Sequence, residues 1–315
     1  MKKVLLIILT ICVFVGVYFF AIEILNKNNI TTQNSAEEQI STEKLYDIAN
    51  FPKVDASLAT QPLVNAMVAN FTGTAEKDFD ESVLDYSNTH PGYVRLINDE
   101  KDLIVVTEPS KEEQELAKEK GVELEVIPVV KEGFVFYVNA TNPVDSLTVE
   151  QIQKIYSGEI KNWKEVGGND EEIVAYQRPV NSGSQTGMLS LVMKDKKLME
   201  APKENLIETM ASIINQVSNY DNGKNTIGYS YYYYATTMFE TIDPEVKSNI
   251  KLLKINGVAP NNTTIKDGSY PFNTAYYIVI NKQDGENSPA RILANQMLSA
   301  RGQKVASMAG YVPVK

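Results

Sequence analysis

The segment Arg178-Pro179-Val180-Asn181-Ser182-Gly183-Ser184-Gln185-Thr186 concentrates groups able to hold an anion. A guanidinium offers a planar fork of donors, glycine lets the backbone approach a ligand closely, and the flanking hydroxyls donate as well. Together they can surround a tetrahedral oxyanion without a metal. The plainer alternative is a turn rich in Gly, Ser and Asn beside a solvated arginine. Two other segments place small hydroxyl residues ahead of a helix start: Asp55-Ala56-Ser57-Leu58-Ala59-Thr60 before Pro62, and Ser87-Asn88-Thr89-His90 before Pro91. A helix N-terminus presents unpaired N–H groups and a partial positive charge, which makes each junction an anion site in waiting. One such junction is ordinary capping. Three in one chain, one of them carrying an arginine, point to oxyanion binding.

Composition narrows the alternatives. The 315 residues carry 30 Lys+Arg against 40 Asp+Glu, a formal charge of −10, which argues against nucleic acid as a partner. Arginine occurs four times, as Arg95, Arg178, Arg291 and Arg301. One histidine, His90, and one cysteine, Cys12, exclude zinc sites built from several Cys and His and exclude an intrachain disulfide. A Ser-His-Asp triad would have to use His90. No nucleophile is evident beside it, so His90 reads as a cap or turn residue. Neither a metal nor a cofactor is expected.

The elements that must position these loops follow from periodicity and punctuation. Lys2 and Lys3 precede an apolar run from Val4 to Ile22, whose 19 residues span roughly 28 Å as a helix. No Ala-x-Ala cleavage pattern follows, so an uncleaved membrane anchor over residues 1–25 is favoured over a cleaved signal segment. The paired lysines place the N-terminus in the cytoplasm and the rest of the chain outside. Residues 26–46 have the polar composition of a linker, and folding begins near Asp47.

From Phe51 onward, short apolar runs alternate with helical spacing, the pattern of an α/β fold. Strands are expected at Leu103–Val106, Leu124–Val130, Phe134–Val138, Ile173–Tyr176, Lys251–Ile255 and Tyr276–Ile280. Helices are expected after Pro62, after the capping box of Thr148 and Gln151, after Ser288-Pro289, and over 302–308 before Gly310. Trp163 reads as core, and Tyr231 to Tyr234 as packing rather than a stacking platform. Lys111 to Lys120 reads as a solvated helix face.

The ordered set of motifs resembles the phosphate-binding proteins of bacterial ABC transporters, a branch of the type II periplasmic-binding-protein fold. Arg178, Ser182, Gly183 and Ser184 match that family's Arg-x-x-x-Ser-Gly-Thr/Ser loop, and Asp55 to Leu63 resembles its first loop. Val144 to Gly168, Asn256 to Pro260, Gly268 to Pro271 and Gly302 to Pro313 match later motifs in order. The resemblance covers about Phe51 to Lys315. It implies two α/β lobes joined by a hinge, residues 47–131 with 267–315 forming the first and 132–266 the second. It further implies inorganic phosphate held between them and delivered to the permease subunits of an ABC importer, with a monomer expected. The implied ligand-binding residues are Ser57, Leu58, Thr60, Thr89, Thr107, Arg178, Ser182, Gly183 and Ser184, the register of the Ser87-to-His90 loop being loose by a residue or two.

One departure stands out. Relatives often place Ser-Asp-x-Pro at the strand end where this chain has Val106-Thr107-Glu108-Pro109. An acceptor-only carboxylate selects protonated phosphate over sulfate; with Thr107 in that Asp's place, the acceptor is either missing or supplied by Glu108 or Asp55. Glu108 also reads as a surface charge beside a turn proline. A membrane-tethered oxyanion sensor or adhesion module of the same fold is a second reading, and a phosphate-ester hydrolase using Asp55 or Ser57 a third.

Overall fold

The computed structural model describes residues 41, 43–79, 83–219 and 223–315. The apolar run at 4–22 and residues 26–40 of the linker lie outside the described residues. Among the described residues, no helix is long and apolar enough to cross a membrane.

The chain begins β1 (Val54–Ala56), α1 (Gln61–Thr72), β2 (Leu84–Asp85), α2 (Thr89–Ile97), β3 (Leu103–Val106), α3 (Lys111–Glu119) and β4 (Leu124–Asn139). It continues through β5 (Ser146–Leu147), α4 (Val149–Ser157), β6 (Val174–Ala175), α5 (Gly183–Gly187), α6 (Met210–Ser218), β7 (Thr226–Tyr231), α7 (Phe239–Ile242) and α8 (Pro244–Ser248). Strands β8 (Ile250–Leu252) and β9 (Lys254–Ile255), α9 (Asn262–Lys266), β10 (Asn273–Asn281), α10 (Pro289–Leu298), α11 (Ala300–Met308) and β11 (Val312–Pro313) complete it. The α/β expectation holds.

Local signals act as read. Pro62 lies in the first turn of α1, which buries Leu63, Val64, Met67, Val68 and Phe71 and ends at Gly73 with φ 69°. Thr148 and Gln151 make a reciprocal capping box, and Ser288 caps α10. Trp163 is buried and donates its indole N–H to Asn225 O at 2.8 Å. Strands β1 and β7 are buried along their whole length, and sequence reading passes over both.

The long strand β4 organises the sheet. The two separate strands expected at 124–130 and 134–138 are one 16-residue strand. Residues Leu124–Gly133 pair antiparallel with β10, and Phe134–Val138 pair antiparallel with β7. The order is β2-β1-β3-β10-β4-β7-β6, with β8 and β11 also on β4. The first part is packed by Tyr93, Leu96 and Ile97 of α2 against Ile104, Val106 and Val279. The second centres on Phe134, Phe136, Tyr156 and Tyr229, whose rings meet at 5.4–6.2 Å.

Where β4 passes from β10 to β7 lies Glu132, only 2% exposed. Its Oε1 accepts from Gly133 N at 2.8 Å and from Tyr233 N at 3.2 Å. Burial pushes its carboxyl up from 4.5 to about 8, against the opposing pull of these backbone bonds. Below pH 4.5 folded and unfolded chains both hold the proton; above it only the unfolded chain releases it. Stability should therefore fall as pH rises from about 4.5 to 8, by an amount on the order of a few kcal/mol at about 1.4 kcal/mol per unit. Glu132→Gln keeps an acceptor without the titration. Its thermal midpoint should exceed that of the wild type at pH 8 and converge with it near pH 5; a constant difference across this range would refute the assignment.

Candidate anion-binding site

A cavity of about 280 Å³ opens where loops from both parts of the sheet meet. That is below the common range for drug-sized ligands and suits a small one. Four helix starts border it: Ser57–Ala59 ahead of α1, Asn88–Pro91 at α2, Ser182–Ser184 at α5 and Glu208–Met210 at α6. The leading N–H groups of a helix lack intrahelical partners, so each start around the cavity adds partial positive charge. Asn88 and Asn181, both on the cavity wall, take positive φ values of 75° and 66°, which asparagine tolerates better than most residues. The start at Glu208 went unread in the sequence, although Thr209 caps Ser212 N there.

Arg178 is the charge of the site. Its backbone N–H donates to Gln185 Oε1 at 3.1 Å and to the Tyr229 hydroxyl at 2.9 Å, which fixes the residue at the end of the β6 segment. One terminal nitrogen donates to Ser184 Oγ at 3.3 Å and the other to Glu208 O at 2.6 Å. The side chain is 9% exposed, and its Nε is buried with no hydrogen-bond partner. Burial draws the guanidinium below its ordinary range, although an arginine stays cationic in a protein. Among the described residues it forms no ion pair. A nearly buried cation with an unpartnered N–H is costly unless something anionic sits against it.

The opposite wall comes from β1, β3 and α2. Thr107, at the end of β3, is 3% exposed, and its Oγ1 makes no hydrogen bond of acceptable geometry although the Tyr231 hydroxyl is near. Tyr93 holds the same residue by donating to Thr107 O at 2.8 Å. Gly183 presses against this wall: a Cβ there would stand 2.4 Å from Thr107 Oγ1 and 2.7 Å from Thr89 Oγ1. Tyr231, expected to be packing alone, also lines the cavity and donates to Gly183 O at 2.9 Å. Tyr311, far along the chain, donates to Ala59 O at 2.8 Å and so holds the first loop in place.

Of the residues expected to bind ligand, Ser57, Leu58, Thr89, Thr107, Arg178, Ser182, Gly183 and Ser184 line this cavity together. Thr60 does not. It is fully buried, and its hydroxyl bonds Ser57 Oγ at 3.0 Å and Val105 O, so it braces the loop from behind. Neither carboxylate named as a proton acceptor reaches the cavity wall. Asp55 is fully buried, where its oxygens accept from Ala56 N at 2.8 Å, Ser87 N at 2.9 Å, the Ser87 hydroxyl and Arg95 at 3.2 Å. That network ties the first loop to the second. Glu108 is half-buried and accepts from the Ser190 hydroxyl instead. The acidic residue that does line the cavity is Glu208, largely exposed, with its main-chain oxygen on Arg178.

Comparison with known proteins agrees with the motif resemblance. The chain is 28% identical over 271 residues to the phosphate-binding protein PstS of Staphylococcus saprophyticus, covering 82% of this chain and 79% of that one. Among solved structures it is similar to a candidate phosphate ABC transporter substrate-binding protein with bound phosphate from Clostridium perfringens, with a TM-score of 0.65, 22% identity, and 84% and 100% of the two chains covered. It is also similar to an ABC-type phosphate transport receptor from Vibrio cholerae, with a TM-score of 0.60, 19% identity, and 82% and 98% covered. The model of the PBP superfamily domain matches residues 53–299, a span that takes in the strand crossing and every wall of the cavity, and the chain belongs to that superfamily.

Proposed function

We propose that this protein captures inorganic phosphate in the cavity around Arg178 and delivers it to an ABC importer, with residues 47–131 and 267–315 closing on residues 132–266. The observation that carries this reading is a nearly buried arginine with an unpartnered Nε, set among hydroxyls and four helix starts. The relatives named for phosphate binding support it. The chemistry needs no metal, since the donors all come from side chains and main-chain N–H groups. Calorimetric titration of the full-length chain, stripped of bound ligand by partial unfolding and refolding, should give one phosphate per chain with equal heat in excess EDTA. No heat with phosphate would refute the reading, and turnover of a generic phosphate ester would favour the hydrolase instead.

The same reading holds the folded part outside the cytoplasm on an N-terminal anchor, with permease subunits as the receiving partner. The apolar run at residues 4–22 supports this. Intact-mass analysis of membrane-extracted protein should find a chain beginning at or near Met1; a start between Glu23 and Glu38 would replace the anchor with a cleaved signal.

A further inference from the structure

The cavity is rich in donors, and its hydroxyls, which both donate and accept, cannot by themselves tell a protonated oxyanion from a bare one. Hydrogen phosphate carries a P–OH and sulfate carries four oxygens without hydrogen, so discrimination needs a group that accepts and cannot donate. Both carboxylates expected in that role are engaged elsewhere, Asp55 by Arg95 and Ser87 and Glu108 by Ser190.

His90 lines the cavity in the first turn of α2, with its side chain 35% exposed. Its Nδ1 lies 2.9 Å from Glu113 Oε1. Glu113 is fully buried, and its other oxygen accepts from Ser110 N at 2.7 Å in the capping box of α3. This carboxylate is therefore held in place by its own helix and receives the imidazole edge. A carboxylate on one ring nitrogen puts the proton there and fixes the tautomer, as seen for oriented histidines generally. In the neutral ring that leaves Nε2 as a lone-pair acceptor with no proton to give.

We propose that His90 Nε2 is the acceptor that lets this site prefer protonated phosphate over sulfate, with Glu113 as the positioning residue that fixes its tautomer. The inference rests on the phosphate-binding reading and gives it a basis for anion selectivity. Neutral His90 would take the hydrogen bond of the P–OH and would face a bare sulfate oxygen with an unshared pair. Protonated His90 would instead donate to either anion, and the preference would shrink. The other ionisable groups around it are Arg178, Glu208, Tyr231 and Tyr234 on the cavity wall and Glu113 behind the ring. Arginine remains charged over the range of interest and buried tyrosines remain neutral. Glu208, the carboxylate on the wall, is largely exposed.

A single histidine in the whole chain makes the test direct. In the full-length protein labelled with 15N-histidine, every imidazole signal belongs to His90. Phosphate at pH 8 should shift Nε2 strongly and leave Nδ1 protonated; sulfate should not shift Nε2 in the same direction. Competition calorimetry with the two anions at pH 5.5 and 8.5, on either side of the ordinary imidazole range, should show the phosphate-to-sulfate ratio falling at least about tenfold at the lower pH. His90→Phe should show a low ratio at both values, which separates the imidazole from the protonation of phosphate itself. Glu113→Gln should reduce the ratio at pH 8.5 without abolishing phosphate binding, an effect that a purely structural pin between α2 and α3 would not produce. If His90→Phe fails to fold, the imidazole spectrum of the wild type decides alone. Phosphate bound with Nε2 unmoved, or a ratio unchanged in a folded His90→Phe, would overturn the inference while leaving phosphate capture intact. Absence of any phosphate binding in the wild type would instead refute the functional reading beneath it.

Discussion

Arg178→Ala should weaken phosphate binding by about a hundredfold or more, whereas Arg95→Ala and Arg301→Ala should change it little. A hydrogen bond to a charged group contributes about 1.5–3 kcal/mol, a bidentate guanidinium contact more, and 1.4 kcal/mol is tenfold in affinity. Arg178 is the arginine on the cavity wall. Arg95 is engaged by Asp55 and Asp85, and Arg301 donates to Asn70 near the far end of α1 at 2.7 Å. Arg178→Lys should recover only part of the loss, because an ammonium cannot reach Ser184, Glu208 O and an anion in one plane. The ligand-free variant should unfold at a temperature equal to or above the wild type's, since removing a nearly buried, unpaired cation relieves a desolvation cost. Calorimetry and thermal melts read the two effects separately. Equal losses from all three arginines would place the site elsewhere.

The second large effect is expected at Gly183. Its Cβ would intrude to 2.4 Å from Thr107 Oγ1 and 2.7 Å from Thr89 Oγ1, distances that real Cβ contacts essentially never show. Those neighbours yield poorly: threonine is stiff at χ1, and Thr107 is held through its carbonyl by Tyr93. Gly183 is in turn fixed from behind by the Tyr231 hydroxyl. Its backbone has no left-handed φ, so alanine there is locally unstrained. Gly183→Ala should consequently fold normally, with an unchanged far-ultraviolet spectrum, yet lose phosphate binding by more than about a hundredfold because the two walls can no longer meet. Binding within threefold of wild type would show that the walls need not come this close.

These two effects separate what is encoded locally from what is not. Thr148 with Gln151 and Ser288 fix helix starts through bonds to residues three positions on, and Pro62 does so through its locked φ; such signals are legible in any short window. The same holds for the hydroxyl-rich starts at Ser57, Thr89 and Ser182 and for the arginine of the 178–186 segment. The α/β class was readable for that reason, and the motif resemblance supplied the nine ligand-binding candidates, eight of which line the cavity.

Acceptor availability was not readable, because it is settled by competition between partners far apart in the chain. Asp55 is claimed by Ser87, 32 residues on, and Glu108 by Ser190, 82 residues on. Thr60 turns its hydroxyl to Val105 O, 45 residues away, because the buried main chain there offers an acceptor. The fourth helix start at Glu208 and the tyrosine at 231 enter the site only because β4 runs unbroken between two halves of one sheet. Residue types and short spacings thus determined which groups this protein has for holding an oxyanion. Which of them reach the cavity was decided by tertiary packing, since a polar group claimed by a distant partner, as Asp55, Glu108 and Thr60 are, is turned away from it.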